Sequence, residues 1–288
     1  MTYPSKVKIV EVGPRDGLQN EKKIIPTEDK IRFIDLLSES GLSVIEVSSF
    51  VHPKWVPQLA DVADVYSKIQ KKPGVKYPCL VPNMKGLERA ISLGVKEIAV
   101  FTAASETFNK KNINMSIAES LNGIREVVAS AQAHQMWVRG YVSTGFVCPY
   151  EGKIVPEKVV PVMEELLSLG IDELSLGDTI GAATPEDVEA LLTLLLKKIP
   201  LEKLALHFHD TQGRAIQNIV KSLEMGVFIY DSSAGGLGGC PYAPGASGNV
   251  STELVLGKMN ELGIATGIDL SKVSQASQYI RKFISSGI

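Results

Sequence analysis

Three stretches of this chain combine residue types that do chemistry. In residues 204–210, LALHFHD, His207 and His209 sit two apart in a run with strand character. Alternation along a strand sends both imidazoles to one face and Phe208 to the other. In residues 11–20, EVGPRDGLQN, Arg15 and Asp16 directly follow the β-rich run 7–12, VKIVEV. In residues 235–249, GGLGGCPYAPGASGN, six glycines and two prolines surround a lone Cys240. Neither helix nor strand accommodates that composition, so the segment reads as a loop that moves or wraps a ligand.

His-x-His with a carboxylate is a ligand set for a divalent metal. Asp16 offers a hard oxygen, His207 and His209 offer nitrogen, and a side-chain amide such as that of Asn249 could complete the set. Mixed oxygen and nitrogen donors without thiolate suit Mg2+ or Mn2+ with positions left open for substrate. Two packed strand histidines are the plain alternative; Asp16 beside them favours the metal. Glu46 reads as a partner that orients Arg15, and Asp178 either as the cap of a following helix or as a catalytic carboxylate. Cys79 lies in a strand and reads as core, while Cys148 lies in a loop that lines the pocket.

The elements that must hold these residues are visible as a repeat. Segments 40–47, 93–100, 169–176 and 225–232 each read as a helix end, a glycine, a short turn and a strand. Glycine suits the left-handed position just past a helix. The four glycines, Gly41, Gly94, Gly170 and Gly226, lie 53, 76 and 56 residues apart, room for two βα units in each interval. The intervening strands are 76–81 (KYPCLV), 137–144 (WVRGYVST) and 204–210, and 7–12 makes eight. Thr27 is expected to cap a helix with Ile31, Ile34 and Leu37 on its apolar face, and Thr184-Pro185 to open another. Strands alternating with helices predict an α/β fold, a (β/α)8 TIM barrel, with extra helices toward the C-terminus. No GxGxxG follows the first strand, which disfavours a doubly wound sheet. The expected organisation is a single catalytic domain over 1–288: a barrel to about 235, then the catalytic loop and C-terminal helices. In a barrel the C-terminal strand ends form the catalytic face. Arg15, Asp16, Glu46, Asp178, His207, His209 and the glycine loop all fall there.

Bulk properties narrow the field. With 30 Lys and Arg against 32 Asp and Glu, the net charge of −2 leaves no basic footprint for nucleic acid. No run approaches the roughly 18 apolar residues of a membrane span. The N-terminus runs straight into strand, which argues against a signal or transit peptide. Three scattered cysteines point to reduced thiols and a cytoplasmic location.

Five motifs together resemble the 3-hydroxy-3-methylglutaryl-CoA (HMG-CoA) lyases: GPRDGLQNE at 13–21, SFVHPKWVPQ at 49–58, SLGDTIG at 175–181, LHFHDTQG at 206–213 and GGLGGCPYAPGASGNVSTE at 235–253. The resemblance runs from about residue 5 to the end, and the last motif is the most specific. It implies Asp16, His207, His209 and Asn249 as metal ligands, Arg15 as the stabiliser of an enolate oxygen and Cys240 as the catalytic cysteine of a mobile loop. It implies supporting roles for Asp178, Glu46, Gln19 and Glu253, and a basic residue near the pocket at Lys22. The implied reaction is cleavage of an acyl-CoA substrate, (S)-HMG-CoA, to acetyl-CoA and acetoacetate, with Asp178 or His207 as base. Leucine breakdown and ketone-body formation follow from the resemblance alone. A homodimer is the expected assembly. A related metallolyase or aldolase acting on another 3-hydroxyacyl-CoA or 2-oxo acid would share the Arg-Asp pair and the His-x-His.

Overall fold

The computed structural model describes residues 3–238 and 248–284. Eleven strands occur in chain order: β1 (Lys8–Glu11), β2 (Val44–Ile45), β3 (Ser48–Ser49), β4 (Cys79–Leu80), β5 (Glu97–Ala103), β6 (Trp137–Ser143), β7 (Val147–Cys148), β8 (Gly152–Lys153), β9 (Glu173–Asp178), β10 (Leu204–Phe208) and β11 (Ile229–Ser232). β7 and β8 form a small antiparallel hairpin. The other nine make one parallel sheet in the order β2-β1-β11-β10-β9-β6-β5-β4-β3. β2 and β3 are two halves of one stretch, so the two ends of that order meet. The Glu46 amide donates to the Glu11 carbonyl on one side at 2.9 Å, and the Ile45 and Val47 amides donate to Lys76 and Pro78 on the other at 3.0 Å. Eight strand positions thereby close into the expected barrel.

Among the described residues ten α-helices cover it: α1 (Thr27–Ser38), α2 (Val62–Lys68), α3 (Met84–Ser92), α4 (Glu106–Ile113), α5 (Ile117–Ala133), α6 (Pro156–Ser168), α7 (Pro185–Leu195), α8 (Ala215–Glu224), α9 (Thr252–Glu261) and α10 (Leu270–Arg281). All four repeat glycines have positive φ, from +74° to +92°, as a residue just past a helix end requires. Thr184 opens α7 with a reciprocal capping box to Asp187. Thr27 does not cap α1: it is the first helical residue after Pro26, and its hydroxyl donates to Asp61 at 2.8 Å. Helix α10 packs mainly on α1.

Burial follows strand parity. Val7, Ile9, Val138, Val142, Leu204, Leu206, Phe208 and Tyr230 face the helices and join the main apolar core. The alternate positions point into the barrel. There the usual layers of branched aliphatics give way to two small apolar clusters, one around Val10, Val12, Val44, Ala205 and Ile229, the other around Leu80, Ala99 and Tyr141. Polar side chains fill the space around them: Glu46, Arg139, Glu173, Ser175 and Asp231 are each no more than 3 % exposed.

Candidate active site

The turn after β1 carries the first site residues. Gly13–Gly17 forms one π-helical turn, with the amides of Asp16 and Gly17 both donating to the Val12 carbonyl at 2.7 and 3.2 Å. Such single turns concentrate at functional sites because they re-aim a side chain within one loop. Glu11 anchors this turn: one carboxylate oxygen accepts from the Gly13 amide and the Ala234 amide, both at 2.8 Å, and the other from Thr252 Oγ1 at 2.7 Å. The roots of the Arg15 turn and of the glycine loop are thus tied to one buried carboxyl. Burial pushes that carboxyl up to about 7, against the three hydrogen bonds it accepts.

Asp16 meets its expected partners. Asp16, His207 and His209 each offer a ligand atom within 4.8 Å of the others. The two imidazoles leave the same side of β10, with ring centroids 5.3 Å apart, while Phe208 packs outward on Phe146. Burial alone would raise Asp16, but Arg15, the two histidines and Asn249 hold it down at about 2, so it is a carboxylate. Burial and the neighbouring His207 push His209 down to about 4, which leaves a neutral imidazole able to donate a lone pair. Asn249 completes the group. Its Nδ2 donates to Asp16 Oδ2 at 2.8 Å and to the Leu237 carbonyl at 3.1 Å. Two acceptors at one end settle which end is nitrogen, and Oδ1 is left buried without a partner among the described residues. His209 Nδ1 is buried and, among the described residues, unpartnered as well. An orphaned amide oxygen and an orphaned imidazole nitrogen beside a carboxylate fit a bound cation, since burying such atoms unsatisfied costs about 1–3 kcal/mol each. Gly238, at φ +96°, holds the root of the loop against this group; a Cβ there would lie 2.7 Å from Asn249 Nδ2.

Arg15 is 7 % exposed. Its Nη1 donates to Asp16 at 2.5 Å and its Nη2 to Glu46 at 2.8 Å, while Nε has no partner among the described residues. The structure thus brings Glu46 and Arg15 together as an ion pair; Glu46 also accepts from Tyr141 Oη at 2.9 Å. Asp178 ends β9 in register with Phe208. Its two oxygens accept from the Ala182 and Ala183 amides at 3.1 Å, so it caps the turn before α7 and not the helix itself, which Thr184 caps. Burial raises Asp178 to about 6 despite those bonds.

The remaining expected residues separate from this group. Glu253 lies 18 residues beyond Gly235 and accepts from the Gly235 amide at 2.9 Å, from Ser251 at 2.6 Å and from Ser277; it holds the loop's root and does not join the Asp16 cluster. Gln19 is half-buried and Lys22 exposed, and neither enters the ion-pair web around Asp16. Cys240 lies outside the described residues. Cys79 and Cys148 are both buried; Cys148 meets Ser105 Oγ at 3.0 Å in a capping turn instead of lining the site.

The sequence reading missed the polar web behind the site. Arg139, fully buried, pairs with Asp231 through two bonds of 3.0 and 2.5 Å, with Glu173 at 2.7 Å and with Tyr141 Oη at 2.7 Å. His207 Nδ1 meets Asp231 Oδ2 at 3.2 Å. Burial would lower His207, but Asp231 and Asp16 outweigh it and raise the group overall. The available signal was Arg139 and Tyr141 two apart in one strand, hence on one inward face.

A closed eight-stranded barrel with a carboxylate, two imidazoles and a buried arginine at its C-terminal rim defines the class of metal-assisted barrel enzymes. Comparison with known proteins narrows this. The HMGL-like family model matches residues 6–280. The chain is 55 % identical over 281 residues to the cytoplasmic 3-hydroxy-3-methylglutaryl-CoA lyase of Rattus norvegicus, covering 98 % of this chain and 82 % of that protein. It is 56 % identical over 279 residues to the mitochondrial hydroxymethylglutaryl-CoA lyase of Mus musculus, covering 97 % and 86 %. The crystal structure of hydroxymethylglutaryl-CoA lyase from Pseudomonas aeruginosa superposes with a TM-score of 0.96 at 52 % identity, covering 98 % of this chain and 94 % of that one. An Acinetobacter baumannii HMG-CoA lyase in complex with coenzyme A and 3-methylmalate superposes with a TM-score of 0.92 at 41 % identity, covering 98 % and 93 %. The chain belongs to the HMGL-like family.

Proposed function

We propose that this chain is a carbon–carbon lyase that cleaves (S)-3-hydroxy-3-methylglutaryl-CoA to acetoacetate and acetyl-CoA. The observation that carries the reading is the meeting of Asp16, His207, His209 and Asn249 beside a buried Arg15 with a free Nε–H. Those four residues would hold a divalent ion, Mg2+ or Mn2+ by the hardness of the donors, whose chemistry is to polarise the substrate's oxygens and lower the pKa of its tertiary hydroxyl.

Asp178 is the proposed base. His207 has Nδ1 committed to Asp231, and its other nitrogen belongs to the ligand group, so no site remains on it for the hydroxyl proton. Asp178, raised to about 6, is a carboxylate near neutral pH and basic enough to take that proton. As the proton leaves, the C2–C3 bond breaks. The ketone of acetoacetate forms, and the bonding pair passes to the acetyl carbon as the enolate of the thioester. Arg15 stabilises the developing negative oxygen with its charge and free donor. Cys240 is proposed to return one proton to that carbon, which balances the proton lost from the hydroxyl. Gln19 and Lys22 are proposed to meet the substrate outside the ligand group, and Glu253 to fix the loop that carries Cys240.

The cytoplasm is the proposed compartment; free, buried Cys79 and Cys148 agree with it, as does the description of the rat relative, although the mouse relative is mitochondrial. No helix among the described residues is long and apolar enough to cross a membrane. A homodimer is proposed, and light scattering would then read twice 31.1 kDa.

A panel of 3-hydroxy-3-alkylglutaryl-CoA thioesters and 2-oxo acids tests the substrate. The 3-methyl thioester should give the highest kcat/KM, with acetoacetate and acetyl-CoA in equal amounts. Faster turnover of a 2-oxo acid would move the chain to another member of the superfamily.

A further inference from the structure

His207 can meet a cation with one nitrogen only, because Asp231 engages the other from behind. The two residues are neighbours in the β10–β11 register, and Nδ1 lies 3.2 Å from Asp231 Oδ2. That oxygen also accepts from Ser175 Oγ at 2.8 Å and from Arg139 Nη1 at 3.0 Å, and Oδ1 takes Arg139 Nη2 at 2.5 Å. Asp231 is 1 % exposed and Arg139 fully buried. A carboxylate surrounded by donors, two of them on one guanidinium, accepts and has no proton to give. The proton shared with His207 therefore sits on Nδ1, and Nε2 keeps its lone pair.

We propose that Asp231 is a positioning residue, which fixes His207 as the Nδ1–H tautomer and turns Nε2 toward Asp16 and His209, and that Arg139 fixes Asp231 in turn. The inference rests on the metal reading of that cluster. Arg139 also reaches the other half of the site. Its Nη1 donates to Tyr141, Tyr141 donates to Glu46, and Glu46 holds Arg15. One buried guanidinium thus orders both the ligand histidine and the oxyanion-binding arginine. Carboxylates behind a ligating histidine act in this way, and losing one weakens metal binding by about 10- to 100-fold.

Asp231→Asn keeps the shape and reverses the hydrogen-bond logic. With the amide nitrogen toward His207, the ring must accept on Nδ1, which puts its proton on Nε2. With the amide nitrogen the other way, it opposes Arg139 Nη2. The test uses the full-length protein labelled with 15N-histidine, where only four histidines contribute signals. Long-range 1H–15N spectra of the metal-free protein, at a pH where the rings are neutral, read the tautomer. Electron paramagnetic resonance of free Mn2+ reads affinity without reference to turnover. The expected result is a protonated Nδ1 and bare Nε2 on His207 in the wild type. In Asp231→Asn the pattern should invert or average, with Mn2+ bound about 10- to 100-fold more weakly. A wild-type His207 protonated on Nε2 overturns the proposal with no variant needed, so a variant that fails to fold does not rescue it. A folded Asp231→Asn with wild-type tautomer and Mn2+ affinity overturns it and leaves the lyase reading intact. A wild type that binds no Mn2+ removes both.

Discussion

Glu11 should make the fold lose stability as pH rises through neutrality, and Glu11→Gln should remove that loss. The carboxyl is fully buried and raised from the ordinary 4.5 to about 7. A folded pKa above the unfolded one favours the protonated form, so the contribution is present in full below about 4.5 and fades as pH climbs through about 7. At 1.36 kcal/mol per unit, the difference between pH 4.5 and pH 8 is roughly 3 kcal/mol. Glutamine fits the same partners: its oxygen takes the Gly13 and Ala234 amides, and its NH2 donates to Thr252 Oγ1, whose hydroxyl can turn to Ser232 at 2.8 Å. An unfolding entropy of roughly 2.1 cal/mol/K per residue amounts to about 0.6 kcal/mol/K for this chain, so the effect is about 5 °C in Tm. The assay is thermal unfolding of wild type and Glu11→Gln at several pH values from 5 to 8, compared as a difference so that other titrating groups cancel. Wild-type Tm should fall by about 4 °C more than that of the variant over this range, since part of the contribution is already lost by pH 5. Parallel curves, or a wild type that gains on the variant with rising pH, would show that the carboxyl titrates normally and that the argument from burial fails.

Three substitutions probe the chemistry. Arg15→Lys keeps the charge but gathers its donors on one nitrogen and loses the planar fork whose two Nη atoms reach Asp16 and Glu46, so kcat should fall by about 100- to 1,000-fold; a value within a few-fold of wild type would reduce Arg15 to a partner for Glu46. Asp178→Asn should lower kcat by about 100-fold or more with Mn2+ affinity unchanged, whereas equal losses in both would make Asp178 a structural cap. Cys240→Ser should lose most turnover while still binding Mn2+, because a serine hydroxyl is a far weaker acid, and iodoacetamide should inactivate only the wild type; a fully active serine variant would require another proton donor.

What the sequence disclosed was local or periodic. Gly41, Gly94, Gly170 and Gly226 mark helix ends because positive φ disfavours other residues there, so the βα units could be counted. His207 and His209 share a face because a strand alternates, and Arg15-Asp16 follows a strand end where barrel chemistry sits. What stayed hidden depends on closure. Arg139 and Asp231 are 92 positions apart and on non-adjacent strands, and they meet only because the barrel brings both into its lumen. Glu11 falls on the outward face of β1, where its value depends on Thr252 and Ala234 from more than 220 residues away. Thr27 shows the limit of local cues: Pro26 already opens α1, and Asp61 offers the hydroxyl a better acceptor than its own helix requires. Glu253 stands in the last of the five motifs, but its bond to Ser277 forms only because α10 packs beside the loop's root, where Arg281 also meets the Gly235 carbonyl.

The central claim, that Asp16, His207, His209 and Asn249 form the metal site of an HMG-CoA lyase, is tested most directly by acetoacetate release. The protein is stripped with EDTA, then assayed on HMG-CoA before and after Mg2+ or Mn2+ is restored, alongside His209→Ala. Stripped wild type should be inactive and recover on adding either ion, and folded His209→Ala should not recover at ion concentrations that saturate the wild type. Undiminished acetoacetate release from stripped wild type, or full recovery of His209→Ala, would contradict the account.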